Sequence, residues 1–238
     1  MVPTISTVGL VISLIPAVVV IALLFHWRAS GWSAVYATLR MLVQLLAIGY
    51  VLVYIFETDD FRIIALVMAI MLTVASWIAI RPLAHKTRQE FLYALIAISI
   101  ASLPVLVLVT QFVIDVQPWF SPRFVVPLAG MIFSNAMNAV SLAGERYEAE
   151  RSLDVPVQQA RKTALEAALI PTINSLLAVG LVALPGMMTG QILSGVSPLV
   201  AAKYQIMVMA MLFGASGASA ALYLVLKSRA FLGTGQTI

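Results

Sequence analysis

Hydrophobic residues in this chain do not alternate with polar ones. They gather into long runs separated by short polar turns. A helix needs roughly 20 mostly apolar residues to cross a bilayer, and seven runs approach that length: 7–25, 39–56, 63–80, 91–113, 124–143, about 168–184, and 204–226. The sixth has the softest boundary, because its apolar character continues past Pro185 and Gly186 to Leu193. The following stretch, PGMMTGQILSGVSP, is too rich in glycine and proline for a plain helix and reads as a re-entrant or capping segment. Irregular backbone is tolerated at membrane depth only where protein or water satisfies its polar groups. The predicted fold is all-α and polytopic, with about seven transmembrane helices in a single domain over residues 1–238.

The fifth run breaks the apolar pattern. In GMIFSNAMNAVSLAGERYEAERSLD, residues 130–154, four polar side chains interrupt a span, and the longest polar stretch of the chain follows. Successive helical residues rotate by about 100°, so Pro127, Gly130, Ser134, Asn138 and Ser141 share an arc of about 80°. Asn135 lies at the edge of that stripe. Leu128, Ile132, Ala136, Ala139 and Ala143 occupy the other side, which suits lipid or a neighbouring helix. Two readings of the polar stripe stand open. Small residues and amides let transmembrane helices approach and hydrogen-bond; alternatively, polar groups in a span face a water-filled pathway. In the second run Arg40 and Gln44 stand four apart and share a face. Arg40 is near a span end and can snorkel, while Gln44 is deeper.

The charged remainder of that stretch predicts a helix–turn–helix at the membrane surface, a polar loop of about 144–167. Asp154 suits a helix N-terminus and Pro156 a first turn. PVQQARKTALEAALIP then restarts as a short amphipathic helix with Val157, Ala160, Ala164 and Ala168 on one side, leading into the next span near Pro171. Such a helix can dock in a partner's groove.

Composition agrees with a lipid environment. Only 10% of the 238 residues are charged, against about 25% in a soluble domain, and the mean hydropathy is +1.03. The net charge of +4 does not suggest nucleic acid, since the basic residues sit in short loops. Arg28, Arg81, Lys86, Arg88, Arg146, Arg151, Arg161, Lys162, Lys227 and Arg229 fall on one predicted side; only Arg62, Arg123 and Lys203 fall on the other. Positive loops stay in the cytoplasm, so the N-terminus is expected outside and the C-terminus inside, in the inner (plasma) membrane. No basic residue precedes the first span, so it does not read as a cleaved signal peptide. Trp27, Trp32, Trp77 and Trp119 fall at predicted interfaces. The acidic run Glu57, Asp59 and Asp60 reads as a solvated turn rather than a cation attractor.

Several chemistries are missing. No GxxxxGK[ST] phosphate loop or HExxH motif is present, and there is no cysteine. His26 and His85 both lie at the predicted cytoplasmic face, out of reach of a buried serine nucleophile. The chain is therefore not expected to be an enzyme or to bind a cofactor itself. Met187, Met188, Met207, Met209 and Met211 could suggest soft-metal binding, but methionine is a common apolar filler, so a metal site stays unassigned.

Helix, turn, helix, then Ile170-Pro171 resembles the coupling loop of ABC-transporter permeases. More specifically, the chain resembles the FetB-like iron-export permeases, related to plant aluminium-tolerance membrane proteins. The resemblance is carried by RMLVQLLAIGYVLVYIF, PLAGMIFSNAM, AALIP, GLVALPGMMTGQI and KYQIMV, spread over residues 39–208. It implies a permease subunit that works as a dimer, a second copy of itself beside it in the lipid bilayer. Two separate ATP-binding subunits would supply hydrolysis, holding ATP and magnesium. It draws attention to Arg40, Gln44, Asn135, Met187, Met188 and Gln205 as pathway candidates, with Gly130, Met131, Met137, Pro171, Pro185, Gly186 and Tyr204 as further matching positions.

Ser134 and Asn138 join the pathway candidates from the helical wheel. Asn174 joins them where some relatives carry an acidic residue. Leu153, Asp154, Val157, Ala160 and Arg161 are the candidate coupling residues. The turn reads Leu153-Asp154-Val155 where relatives tend to have Leu-Gly-Ala. Export of iron, another metal or a polar solute is the implied function. The alternative is a self-sufficient channel or secondary transporter, which would usually carry ionisable residues at midplane. Stripped Fe²⁺ would want carboxylate or imidazole ligands, and no span offers a clearly buried one; a hydrated ion, a chelate or a polar organic molecule suits amides better.

Overall fold

The computed structural model describes residues 6–58 and 60–233. They fall into two compact units, one ending at Glu57 and one beginning at Thr58.

The first unit is a helical hairpin. Helix α1 (Thr7–Ser13) is capped by Ser6, whose hydroxyl accepts from the Gly9 amide at 3.1 Å. Helix α2 (Ile15–His26) follows at once, with Pro16 in its first turn where a missing N–H costs nothing. The turn at Arg28 takes φ 54°, and Phe25 meets Trp32 edge-on at 5.5 Å. Gly31 opens α3 (Gly31–Glu57) because a Cβ there would stand 2.9 Å from the Phe25 ring. None of the side chains of α1 or α2 is buried.

The second unit holds the core. Asp60 caps α4 (Phe61–Ala79) through its carboxylate, accepting from the Arg62 amide at 2.8 Å, so this member of the acidic run is structural. Asp59 lies outside the described residues. Thr87 caps α5 (Arg88–Val107) by accepting from the Glu90 amide at 3.2 Å. Downstream of Pro104, which cannot donate to the ladder, α5 widens into a π-helical segment, Leu108–Val113. Helix α6 (Pro122–Ser152) runs from the fifth predicted span straight into the charged stretch. Helices α7 (Val157–Ala178), α8 (Gly186–Leu193) and α9 (Pro198–Gly233) complete the unit.

Among the described residues, six helical stretches are long and apolar enough to cross a membrane: Thr7–His26, Gly31–Glu57, Phe61–Ala79, Arg88–Val113, Pro122–Ser152 and Pro198–Arg229. The predicted sixth span differs. The expected surface helix and the span after it are one continuous helix, α7, carrying Pro171 in its interior. Arg161, Lys162 and Glu166 make it too polar to qualify as a span. Its alanine stripe explains the continuity: Ala160, Ala164 and Ala168 are all buried and pack with Ala139, Ala143, Tyr147, Ala220 and Leu224. Small side chains at four-residue spacing let α7 lie close on α6 and α9, leaving no reason to change direction at Pro171. The helix ends at Ala178, where Gly180 takes φ 84° and the backbone closes a small loop back to Ala183. Short α8 is a regular helix inside the stretch expected to be irregular; the non-helical backbone is confined to its flanks, up to Pro185 and after Leu193.

Lys227 near the end of α9 reaches Glu90 at the start of α5 and Glu148 near the end of α6. Thus α6 and α9 run in the same direction, and the chain between them must cross back. The broken α7–turn–α8 passage makes that return without being one of the six long apolar stretches, where the sequence suggested about seven spans.

Candidate translocation site

The apolar side of α6 faces protein. Leu128, Ile132, Ala136, Ala139 and Ala143 are all buried, so the alternative of a lipid-facing surface there is set aside. The polar side divides by partner. Ser141 donates to the Ala79 carbonyl of α4 at 2.8 Å, an interhelical packing bond, and Gly130 faces the Met71 methyl at the same interface. Ser134 is exposed and returns its hydroxyl to its own helix at Met131, 3.1 Å away.

The remaining polar residues of α6 meet a cavity of about 500 Å³. Met131, Asn135, Asn138 and Leu142 present one face to it, Pro171, Thr172, Ser175 and Ala178 of α7 a second, and Gln205, Val208, Met209 and Leu212 of α9 a third. The Val179–Ala183 loop and Pro185, Gly186 and Met187 close it. These spacings of three, four and seven residues are those of single helical faces. Asn135 donates through Nδ2 to the Met131 carbonyl at 2.9 Å, which leaves its Oδ1 free of that bond. Gln205 is only 6% exposed, and its Oε1 has no hydrogen-bond partner. A buried amide oxygen without a donor is an uncommon expense in a folded protein and asks for an explanation.

A second cavity of about 630 Å³ shares two wall residues with the first, Met131 and Met187. It continues toward the end of the unit where α6 begins, past Arg123, Gln191 and Tyr204. Gln191 Oε1 is likewise buried and unpartnered.

Of the sequence-derived candidates, Asn135, Asn138, Met187 and Gln205 are brought together. Asn174 is exposed and stands outside the wall, as does half-buried Met188. Arg40 and Gln44 belong to the first unit, where the Gln44 amide, turned so that its oxygen faces Arg40, accepts from the guanidinium at 3.2 and 3.3 Å. Sequence reasoning missed Thr172, Ser175 and Gln191; the last sits in a stretch read as irregular backbone and as part of the family resemblance, without being singled out.

Toward the other end of α6, the alanine seam gives way to an ionic cluster that the sequence did not reveal. Lys227, 2% exposed, is 2.8 Å from Glu90 and 2.9 Å from Glu148. The Tyr223 hydroxyl donates to Glu90, and Glu148 also accepts from the Ala84 amide at 2.9 Å. A cleft of about 880 Å³ opens beside it, reaching His85, Arg151 and Asp154. A signal was available: a lysine directly after LYLVL in the last apolar run needs acidic partners.

The turn between α6 and α7 projects from this end. Leu153 is 76% exposed, and Asp154 takes φ 58°. That left-handed conformation favours glycine and is tolerated by aspartate, which accounts for aspartate in the middle of Leu153-Asp154-Val155. Asp154 does not cap α7, as the sequence suggested; Pro156 holds that position without a side-chain bond. Arg151 fastens the turn by donating to the Val155 carbonyl at 2.7 Å. Ala160 is buried in the seam, so it packs the helix instead of facing outward, while Val157 and Arg161 are half-buried.

Fold and cavity define a polytopic, all-α membrane protein with a largely apolar chamber between its helices, interrupted by amides and hydroxyls. Residues 5–153 and 151–232 match the profile of the family described as "Uncharacterised protein family (UPF0014)", and the chain belongs to that family. It is 38% identical over 208 residues to the "Probable iron export permease protein FetB" of Escherichia coli, covering 81% of this chain and 78% of that one. A UPF0014 membrane protein of Synechocystis is 37% identical over 205 residues, 78% of each chain. "Protein ALUMINUM SENSITIVE 3" of Arabidopsis thaliana is 34% identical over 200 residues, 78% of this chain and 72% of that one. No solved structure matches.

Proposed function

We propose that the chain is the membrane permease subunit of an ABC transporter that exports iron, or a related metal species, from the cytoplasm. Two copies would pair in the inner membrane with two separate ATP-binding subunits, which hold ATP and magnesium. One observation carries this reading: α7 begins directly after the exposed Leu153 turn and runs unbroken from Val157 to the chamber wall. A push on the turn reaches Pro171, Thr172, Ser175 and Ala178 without passing through a hinge. The ionic cluster lies at the end that also carries Arg81, Lys86, Arg88, Arg146, Arg151, Arg161 and Lys162. The positive-inside rule assigns that end to the cytoplasm, where the ATP-binding subunits are.

The name of the Escherichia coli relative supports iron as cargo. The test is co-purification of the permease with a candidate ABC ATP-binding subunit from the same organism, followed by ATP hydrolysis in proteoliposomes. The permease alone is expected to hydrolyse no ATP. Leu153→Asp, which places a charge on an exposed apolar contact, should reduce both recovery of the ATP-binding subunit and hydrolysis. Undiminished recovery and activity would remove the turn from the coupling path.

A further inference from the structure

The two chambers share a chemical bias that bears on what crosses them. Neither is lined by a carboxylate or an imidazole, and Arg123 is the one charged residue on either wall. Among the described residues no cluster of three or more His, Cys, Asp or Glu could hold a metal ion. A bare divalent cation would therefore exchange its water for amides and thioethers, with nothing to neutralise its charge. What the walls do offer is hydrogen-bond acceptance. Gln205 in the inner chamber and Gln191 in the outer each keep a buried amide oxygen without a donor. Such oxygens are costly to leave empty and are satisfied by a ligand that brings O–H groups. Met131 and Met187, common to both walls, make the boundary between the chambers apolar and deformable.

We propose that the solute passes these chambers without net positive charge, as a metal ion masked by carboxylate and hydroxyl ligands. Gln205 and then Gln191 accept its O–H groups on either side of Met131 and Met187, and the Arg123 guanidinium meets a carboxylate in the outer chamber. This rests on the export reading above and narrows it to the species carried.

The experiment uses the permease with its ATP-binding subunit in inside-out proteoliposomes. Accumulation of radioactive iron is followed from ferric citrate and, separately, from free ferrous ion kept reduced. ATP-dependent accumulation from ferric citrate, and not from free ferrous ion, is expected. Gln205→Leu and Gln191→Leu should each lower that rate about tenfold, the upper end for loss of one hydrogen bond. Gln205→Glu keeps the shape and tests the sign of charge; it should also slow ferric citrate while the complex with the ATP-binding subunit still assembles. Accumulation from free ferrous ion alone would overturn the inference and leave the export reading standing. Ferric citrate transport untouched by all three substitutions would overturn the role of the glutamines. Failure of both iron species in a complex that assembles and hydrolyses ATP would overturn the inference together with iron as cargo. Failure to assemble would instead overturn the ABC reading itself.

Discussion

The two ends of α6 handle buried polarity in opposite ways. Near its C-terminus Lys227 is almost fully enclosed, yet Glu90 and Glu148 both reach its ammonium group and Tyr223 completes the set. Toward the N-terminus, enclosed Gln205 and half-buried Gln191 each hold an amide oxygen that has no donor. The first arrangement fixes three helices to one another, because removing Lys227 strands two carboxylates. The second leaves hydrogen-bonding capacity unused beside open volume. Between them lies the alanine seam, uncharged and closely packed, with Ala139 and Ala168 at its edge on the chamber wall. A transporter has to hold its frame while leaving something for its cargo, and here the two tasks occupy different depths.

The ionic end should be the most sensitive to substitution. Lys227→Met leaves two carboxylates facing each other at low exposure, and loss of one partner from a buried ion pair costs about 3–5 kcal/mol. Thermal unfolding of the detergent-solubilised protein measures this. Adding Glu90→Gln and Glu148→Gln to the same variant should recover most of the loss, since no charge is then stranded. A Lys227→Met protein as stable as the parent would erase the contrast between the two ends.

The seam comes next. Ala164 is fully buried where α6, α7 and α9 meet. Ala164→Leu adds three carbons to a contact without space for them, and overpacking of this kind costs about 1–3 kcal/mol. Because α7 also carries the chamber wall, the same substitution should loosen the coupling of ATP hydrolysis to transport. Unchanged unfolding temperature would mean that the helices separate here more freely than their packing implies.

Much of this frame can be read from the sequence because lipid imposes a coarse rule. Long apolar runs located nearly every helix. The rule weakens where side chains are small. Alanine is compatible with lipid, water or a neighbouring helix, so Ala160, Ala164 and Ala168 gave no sign that α7 would run unbroken through Pro171. Lys227 was legible only as a basic residue after a span, since its acidic partners lie 79 and more residues away. The chamber was half legible. The wheel placed Asn138, resemblance placed Met187 and Gln205, and both supported Asn135. Ser134 and Asn138 share the wheel's stripe, and only tertiary packing separates them; the structure sends Asn138 to the chamber and Ser134 to the exterior.

That separation gives the smallest and sharpest prediction. Asn135 and Ser134 are neighbours in sequence, polar, and bonded to the same Met131 carbonyl. Removing either bond should cost little, since interhelical hydrogen bonds in membranes average about 0.6 kcal/mol and these two are within one helix. Stability therefore cannot tell the residues apart, but transport can. Asn135→Ala removes an amide from the chamber wall and should lower ATP-dependent iron accumulation about tenfold or more, the loss of a contact that a neutral hydrogen bond supplies. Ser134→Ala touches no wall and should leave accumulation within twofold of the parent, as exposed substitutions away from a site stay within about 0.5 kcal/mol. Asn138→Ala should fall between them, because it lines the chamber but is exposed. Equal transport by the Asn135→Ala and Ser134→Ala proteins would show that the chamber between α6, α7 and α9 is a packing defect and that the cargo travels elsewhere.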